Sequence, residues 1–222
     1  MKLILAIDLK DGLVVHGKSG NRKEYVPLTD GLSPSAEPVS YVTFMRPKYL
    51  YAADLDRISM EGDHTETILK LAGMVKGLYA DRGTTIPEEY LPEPIHTIVG
   101  TETVDAPLEE FSGGFLSIDI KDGVVIPSGE DPAEFLKTAD SAAFDGYIIL
   151  NISSVGTGCG ISEAYVKELR AATKKQLFYG GGVASAADLE TLQRAGFDGA
   201  IISTAVHNRQ IPLELIREGE LC

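Results

Sequence analysis

Ala6-Ile7-Asp8-Leu9-Lys10-Asp11-Gly12-Leu13-Val14-Val15 returns, little altered, as Ser117-Ile118-Asp119-Ile120-Lys121-Asp122-Gly123-Val124-Val125-Ile126. Six of the ten positions are identical, and the offset of 111 residues is half of a 222-residue chain. That offset implies two copies of one unit, about 1–111 and 112–222, and self-similarity at a fixed period decides a fold before any local reading does. In each copy an apolar run (Leu3 to Leu9; Phe115 to Ile120) carries one carboxylate near its end and then meets Lys-Asp-Gly. An apolar run closed by a turn signal reads as a strand buried on both faces, as in a parallel sheet. A carboxylate at the end of such a strand is costly unless it is paired, hydrogen-bonded or turned toward a polar cavity. Asp8 and Asp119 are open to the plain reading that they cap the turn. Asp11 and Asp122, each directly before a glycine, suit the turn better, which leaves Asp8 and Asp119 for another task.

Outward from the first copy, Lys18-Ser19-Gly20-Asn21-Arg22-Lys23-Glu24-Tyr25 and the prolines at 27, 34 and 38 read as a long mobile loop. Loops of that length inside a domain are usually functional, so a lid is expected there, with the alternative of a solvated surface loop. Strands are expected at Lys48–Asp56, Lys76–Gly83 and Ile95–Thr101, with a helix over Asp63–Lys76 and a short one near Pro87–Leu91. The second copy repeats the order: strands at Phe115–Ile120, Gly146–Asn151, Gln176–Tyr179 and Gly199–Thr204, helices at Pro132–Thr138, Glu163–Thr173 and Ala187–Ala195. Strands alternating with helices give parallel strands joined by crossovers. Four strands in each half close naturally as one (β/α)8 TIM barrel spanning residues 1–222, built from two duplicated half-barrels.

Composition narrows the functional classes. Apolar residues make up 44% of the chain, and no stretch approaches a membrane span. Residues 1–9 lack a cleavage site and run into the Asp8 motif, so they read as a strand rather than a signal sequence. Two cysteines, Cys159 and Cys222, suggest a reducing, cytoplasmic setting. A net charge of −13 argues against nucleic acid or anionic membrane as partner, while leaving room for a local phosphate pocket. A monomer or small homo-oligomer is expected. His16, His64, His96 and His207 are scattered without ligand spacing, so no metal and no cofactor are expected.

In a barrel these motifs gather at the strand C-termini, the face that carries the site in this architecture. Gly180-Gly181-Gly182 after strand 7 leads through Ala184-Ser185 into a helix, beside Ser203-Thr204 after strand 8. Backbone N–H groups at such glycines and at a helix N-terminus suit phosphate. Strands 1 and 5 oppose each other, so Asp8 and Asp119 would face one another across the mouth as a general acid and a general base. Cys159, within Gly-Thr-Gly-Cys-Gly, is either a nucleophile or a small loop filler, and the filler is the preferred reading.

Ala6-Ile7-Asp8-Leu9-Lys10-Asp11-Gly12, Ala53-Asp54-Leu55-Asp56, the Asn151 to Gly156-Thr157 loop, the glycine loop and the strand-8 end together resemble one family. It holds the ProFAR (phosphoribosylformimino-5-aminoimidazole carboxamide ribotide) isomerase of histidine biosynthesis and the cyclase subunit of imidazole glycerol phosphate synthase. The resemblance implies Asp8 and Asp119 as the acid/base pair and Gly181, Gly182, Ser203 and Thr204 as a phosphate site. It also places Asp54, Asn151, Gly156 and Thr157 beside the substrate. Arg82 and Thr101 are candidates for a second phosphate, and Lys18 and Arg22 reach in from the loop. Two positions depart from the pattern. Strand 3 enters Ala80-Asp81-Arg82-Gly83 where the family has a glycine-rich phosphate loop, and Val155 stands where Asp precedes Gly-Thr. The expected activity is isomerisation of a phosphorylated metabolite, by a divergent relative of the histidine enzyme. Alternatives are a cyclase or lyase of the same superfamily, or a barrel that binds a phosphate ligand without turnover.

Overall fold

The computed structural model describes residues 1–17 and 20–221, so Lys18, Ser19 and Cys222 lie outside the described residues. Eight parallel strands form the barrel: β1 (Lys2–Lys10), β2 (Tyr49–Asp54), β3 (Gly77–Asp81), β4 (His96–Gly100), β5 (Phe115–Lys121), β6 (Gly146–Asn151), β7 (Gln176–Gly180) and β8 (Gly199–Ile202). Each pairs with its neighbour in sequence, and β8 returns to β1 with Lys2 opposite Gly199 and Leu5 opposite Ile202. No edge is left open on the barrel, as closure requires.

The Lys-Asp-Gly turn behaves alike in both places. After β1, Asp11 and Gly12 adopt φ of 51° and 77°, and Leu13–Val15 runs back antiparallel to β1. After β5, Asp122 and Gly123 adopt φ of 52° and 85°, and Val124–Val125 does the same. Two central residues with positive φ make a two-residue hairpin turn, which Asp-Gly favours.

Alternation along each strand sorts two cores. Leu3, Leu5, Ile7 and Leu9 face outward and join the layer between barrel and helices, while Ile4 and Ala6 face the interior with Tyr49, Tyr51 and Ala53. Tyr79, Phe115 and Phe178 fill the barrel floor as an edge-on and stacked cluster, with ring centroids 4.9–5.3 Å apart. Each such buried ring contributes about 1.5–3 kcal/mol. The Lys2 ammonium closes the cluster from below, bonding the Tyr79 hydroxyl at 3.0 Å.

Helices cover the barrel unevenly. Between β1 and β2 stands α1 (Pro38–Met45), where the sequence reading expected only loop. Pro38 sits in the first turn, where its missing N–H is harmless, and the Glu37 side chain caps Val39 and Ser40. After β2 come the short α2 (Leu55–Ile58) and α3 (Thr65–Ala72). Only 3-10 turns, Pro87–Glu89 and Leu108–Glu110, stand between β3, β4 and β5. Tyr90, Phe111 and Phe144 stack there in place of a helix, with centroids 6.0–6.2 Å apart. The second half keeps its crossovers: α4 (Pro132–Ala139), α5 (Glu163–Ala172) and α6 (Ala186–Ala195), followed by α7 (Thr204–His207) and α8 (Leu213–Glu218). No helix among the described residues is long and apolar enough to cross a membrane.

Candidate active site

At the C-terminal mouth of the barrel the inward-facing strand positions change from apolar to polar. Asp8 follows Ala6 on β1, Asp81 follows Tyr79 on β3, and Asp119 follows Ser117 on β5; the three carboxylates line one cavity of about 510 Å³. Asp8 and Asp81 both pair in register with Ala53, so they stand at one height on either side of β2.

Their surroundings differ. Asp119 is buried and accepts from the Ser117 hydroxyl at 2.7 Å and from the Glu102 N–H at 3.0 Å. Burial, helped by the charge of Asp81, nonetheless raises its carboxyl to about 7. Asp8 has an alanine where Asp119 has Ser117, and the backbone of Gly17 lies so close that any side chain there would collide with its Oδ2. Burial raises Asp8 to about 6, with the Arg22 guanidinium pulling it down and Asp81 pushing it up. Asp81 accepts from the Tyr51 hydroxyl at 3.0 Å and from the Gly83 N–H at 3.2 Å. Burial raises it as well, and three nearby carboxylates together with burial hold the Tyr51 phenol well above its ordinary value.

Of the segment expected to be a mobile lid, the described residues Gly20, Arg22, Tyr25 and Leu28 line the mouth of the cavity. The His16 N–H donates to the Val26 carbonyl and the Leu28 N–H to the Val14 carbonyl of the return strand, and Arg22 makes a two-pronged pair with Glu102, Nη2 to Oε2 at 2.5 Å and Nη1 to Oε1 at 3.1 Å. Glu102 therefore touches both the strap and, through its backbone, Asp119. Farther along, His207 Nδ1 accepts the Leu32 N–H while its Nε2 meets the Tyr41 hydroxyl at 2.7 Å. Burial pushes His207 down to about 4, so the ring is neutral and serves as a hydrogen-bonded pin.

On the far side Gly181 and Gly182 turn at φ of 88° and 85°. A side chain at Gly181 would collide with the Asn151 carbonyl, and one at Gly182 would stand 3.0 Å from Ser154 and 3.2 Å from Cys159 Sγ. Only glycine fits both the conformation and the space. Gly181, Gly182, Ser203, Thr204 and Gly156 all line the cavity. Asp188 closes a capping box on α6 and takes the N–H groups of Ala184 and Ser185. The glycine turn and Ser203-Thr204 therefore remain as the groups that line the cavity on this side.

Five expected substrate-side residues do not line the cavity, and for four of them strand parity is the reason. Asp54, Arg82, Thr101 and Asn151 each stand one residue beyond an inward position and so turn outward. Asp54 caps α2, accepting from Arg57 N–H at 3.1 Å and His64 N–H at 2.7 Å. Arg82 pairs with Asp63 at 3.2 Å, and Asn151 bonds the Tyr179 hydroxyl. Thr101 Oγ1 accepts the Asp119 N–H at 3.0 Å and so positions that strand end. Thr157 is exposed in its loop, bonded to the Ser154 carbonyl at 2.8 Å. Cys159 is exposed and outside the cavity lining, with Ser154 and Thr157 lowering its thiol. The sequence reading missed Tyr51, Ser117 and Glu102. Tyr51 and Ser117 were within reach, because they lie two residues before an inward Ala53 and Asp119.

Comparison with known proteins agrees with this geometry. The model of a family described as histidine biosynthesis protein matches residues 2–212. An uncharacterized protein of Methanocaldococcus jannaschii is 33% identical over 224 residues, covering 97% of each chain. ProFAR isomerases of Thermus thermophilus and Streptococcus sanguinis are 28% and 27% identical, covering 96% and 99% of this chain and 97% and 98% of their own. A barrel with its polar mouth at the strand C-termini, matched by one family model along nearly its whole length, belongs to the histidine biosynthesis protein family.

Proposed function

We propose that this protein is an isomerase of the ProFAR-isomerase type, converting a phosphorylated aldosylamine to the corresponding aminoketose. One observation carries the reading: Asp8 and Asp119 line the same cavity, with carboxyls raised to about 6 and about 7. Acid/base catalysis is most effective when the two groups bracket the working pH. The higher value suits Asp119 as acid and the lower suits Asp8 as base.

In the proposed reaction Asp119 gives a proton to the ring oxygen, and the C1–O bond breaks to leave an iminium at C1. Asp8 takes the C2 proton; that electron pair forms the C1–C2 double bond, and the C1–N electrons return to nitrogen. The enol then gains a proton at C1 as its hydroxyl loses one, leaving a ketone at C2. No electrons enter or leave, so the step calls on no redox partner. Gly181, Gly182, Ser203 and Thr204 are assigned to the phosphate, and Arg22 to the strap that closes over it. The near-identical turns after β1 and β5 support a barrel assembled from two copies of one half.

The barrel floor favours this reading over a cyclase. A cyclase needs ammonia delivered through the base of the barrel, where Tyr79, Phe115 and Phe178 are packed together under Lys2. A ligand-binding barrel without turnover has no use for opposed carboxylates held near neutrality, since burying them is costly. The test is incubation of purified protein in deuterated water with ProFAR and with singly phosphorylated aldosylamines. Mass spectrometry should find a ketose product carrying solvent deuterium. A folded protein that converts none of them would remove the isomerase reading, and complementation of an auxotroph lacking ProFAR isomerase would identify the histidine substrate.

A further inference from the structure

The two ends of the cavity are chemically unlike. Four carboxylates line it among the described residues, Asp8, Asp81, Glu102 and Asp119, and all lie on the β1 to β5 side, where Arg22 is already paired with Glu102. The β6 to β8 side of the lining carries no charged side chain among the described residues; there the surface is glycine turn, hydroxyl, amide and aliphatic groups. An anion fits the second end and is repelled from the first.

Asp81 defines that first end. It is only 8% exposed, and both of its oxygens accept hydrogen bonds, from Tyr51 and from Gly83, which favour the charged form against the burial that raises it. A carboxylate has about four acceptor sites, so about two remain for whatever occupies the cavity. The groups that approach a desolvated acceptor are hydrogen-bond donors, and like charge set against it is disfavoured. Arg82, next to it in sequence, is turned away to Asp63, and Arg22, the cation whose charge does act on Asp81, is paired with Glu102.

We infer that the ligand of this cavity is asymmetric: a single phosphate at the β7–β8 end, and an unphosphorylated, donor-bearing end, hydroxyl or ammonium, held by Asp81 at the β3 end. The inference rests on the isomerase reading for the location of the phosphate and adds what stands opposite it. It sets this chain apart from its ProFAR isomerase relatives, whose substrate carries two phosphoribosyl groups.

Calorimetry on the full chain tests this with three probes that differ by one group each: glucose 6-phosphate, glucosamine 6-phosphate and glucose 1,6-bisphosphate. Both monophosphates should bind at least about tenfold more tightly than the bisphosphate, and the tighter of the two names the donor. Asp81→Asn, which keeps shape and removes charge, should close most of that gap by improving the bisphosphate. Wild-type protein that binds the bisphosphate as tightly as the monophosphates overturns the inference, whether or not the variant folds. Ser203→Asp separates the two layers of the argument. If it abolishes binding of all three while the bisphosphate is still preferred in the wild type, only the inference fails. If it leaves all three unaffected, or if none binds the wild type, the phosphate end is misplaced and the functional reading falls with it.

Discussion

The ends of β3 and β7 occupy equivalent places in the two halves and present opposite chemistry. After β7 the chain turns through Gly181 and Gly182 at positive φ and enters a ten-residue helix with a capping box. After β3 it presents a buried carboxylate, Asp81, and then reaches only a 3-10 turn at Pro87–Glu89. The ends of β1 and β5, by contrast, remain alike down to the φ angles of their Asp-Gly turns. What the halves share is the pair of acids facing the cavity; what they do not share is the glycine turn leading into a capped helix. The two acids and the glycine turn stand on different strands, so one end of the cavity can differ between the halves while the acids are kept.

The largest effect should come from the shared element. Asp8→Asn and Asp119→Asn should each lower kcat by about 100-fold or more, as loss of a general acid or base does. Comparable turnover in either variant, measured on whichever aldosylamine the enzyme accepts, would dismiss the pair. Next is the β7 end. Gly181→Ala forces a side chain into the left-handed region and against the Asn151 carbonyl, a strain of about 1–3 kcal/mol, and phosphate affinity should fall with it. Asp81→Gly at β3 should not weaken binding of inorganic phosphate, and equal losses in the two variants would erase the contrast between the ends.

The charge of Asp81 should also be visible in the pH profile. It raises both Asp8 and Asp119, so Asp81→Asn should move both limbs of the kcat/KM bell, near pH 6 and pH 7, toward lower pH. An unmoved bell would separate Asp81 from the pair. A smaller signature lies in stability. The folded state holds the Asp119 proton up to about pH 7, while an unfolded carboxylate loses it near pH 4, so this group contributes stability that is lost as pH rises between those values. The melting temperature of Asp119→Asn should gain on that of the wild type across that window, and a constant gap would count against the raised value. Smallest of all, Arg22→Ala should change stability by only about 0–1 kcal/mol, because the Arg22–Glu102 pair is about one-third exposed; calorimetric unfolding checks it. Its effect should appear in KM.

Much of this was legible before any coordinates. The ten-residue repeat led to eight strands and to Asp8 and Asp119 because a hydrophobic run with a single charge near its end is a strong local signal. Asp54, Arg82, Thr101 and Asn151 were harder, since reaching the end of a strand does not reveal which face a side chain takes. Period-two counting from Asp8 and its partners in register assigns each of them outward, but the register itself is a property of the assembled sheet. The contacts of the first-half loop were hidden for a related reason. Its glycines and prolines suggest freedom, yet the Arg22–Glu102 pair and the His207 contact at Leu32 join residues 80 and 175 positions apart.

By itself the sequence determined the barrel, its eight strands and two of the acids that line its mouth, because strand periodicity and turn chemistry act over a few residues. Only the tertiary structure decided that Asp81 and Tyr51 share the cavity with them, and that Arg22 is held by Glu102. It also decided that one end of the pocket is acidic and the other is not. Those facts depend on which side chains from distant strands meet in one cavity, where burial and neighbouring charge fix what each group can do.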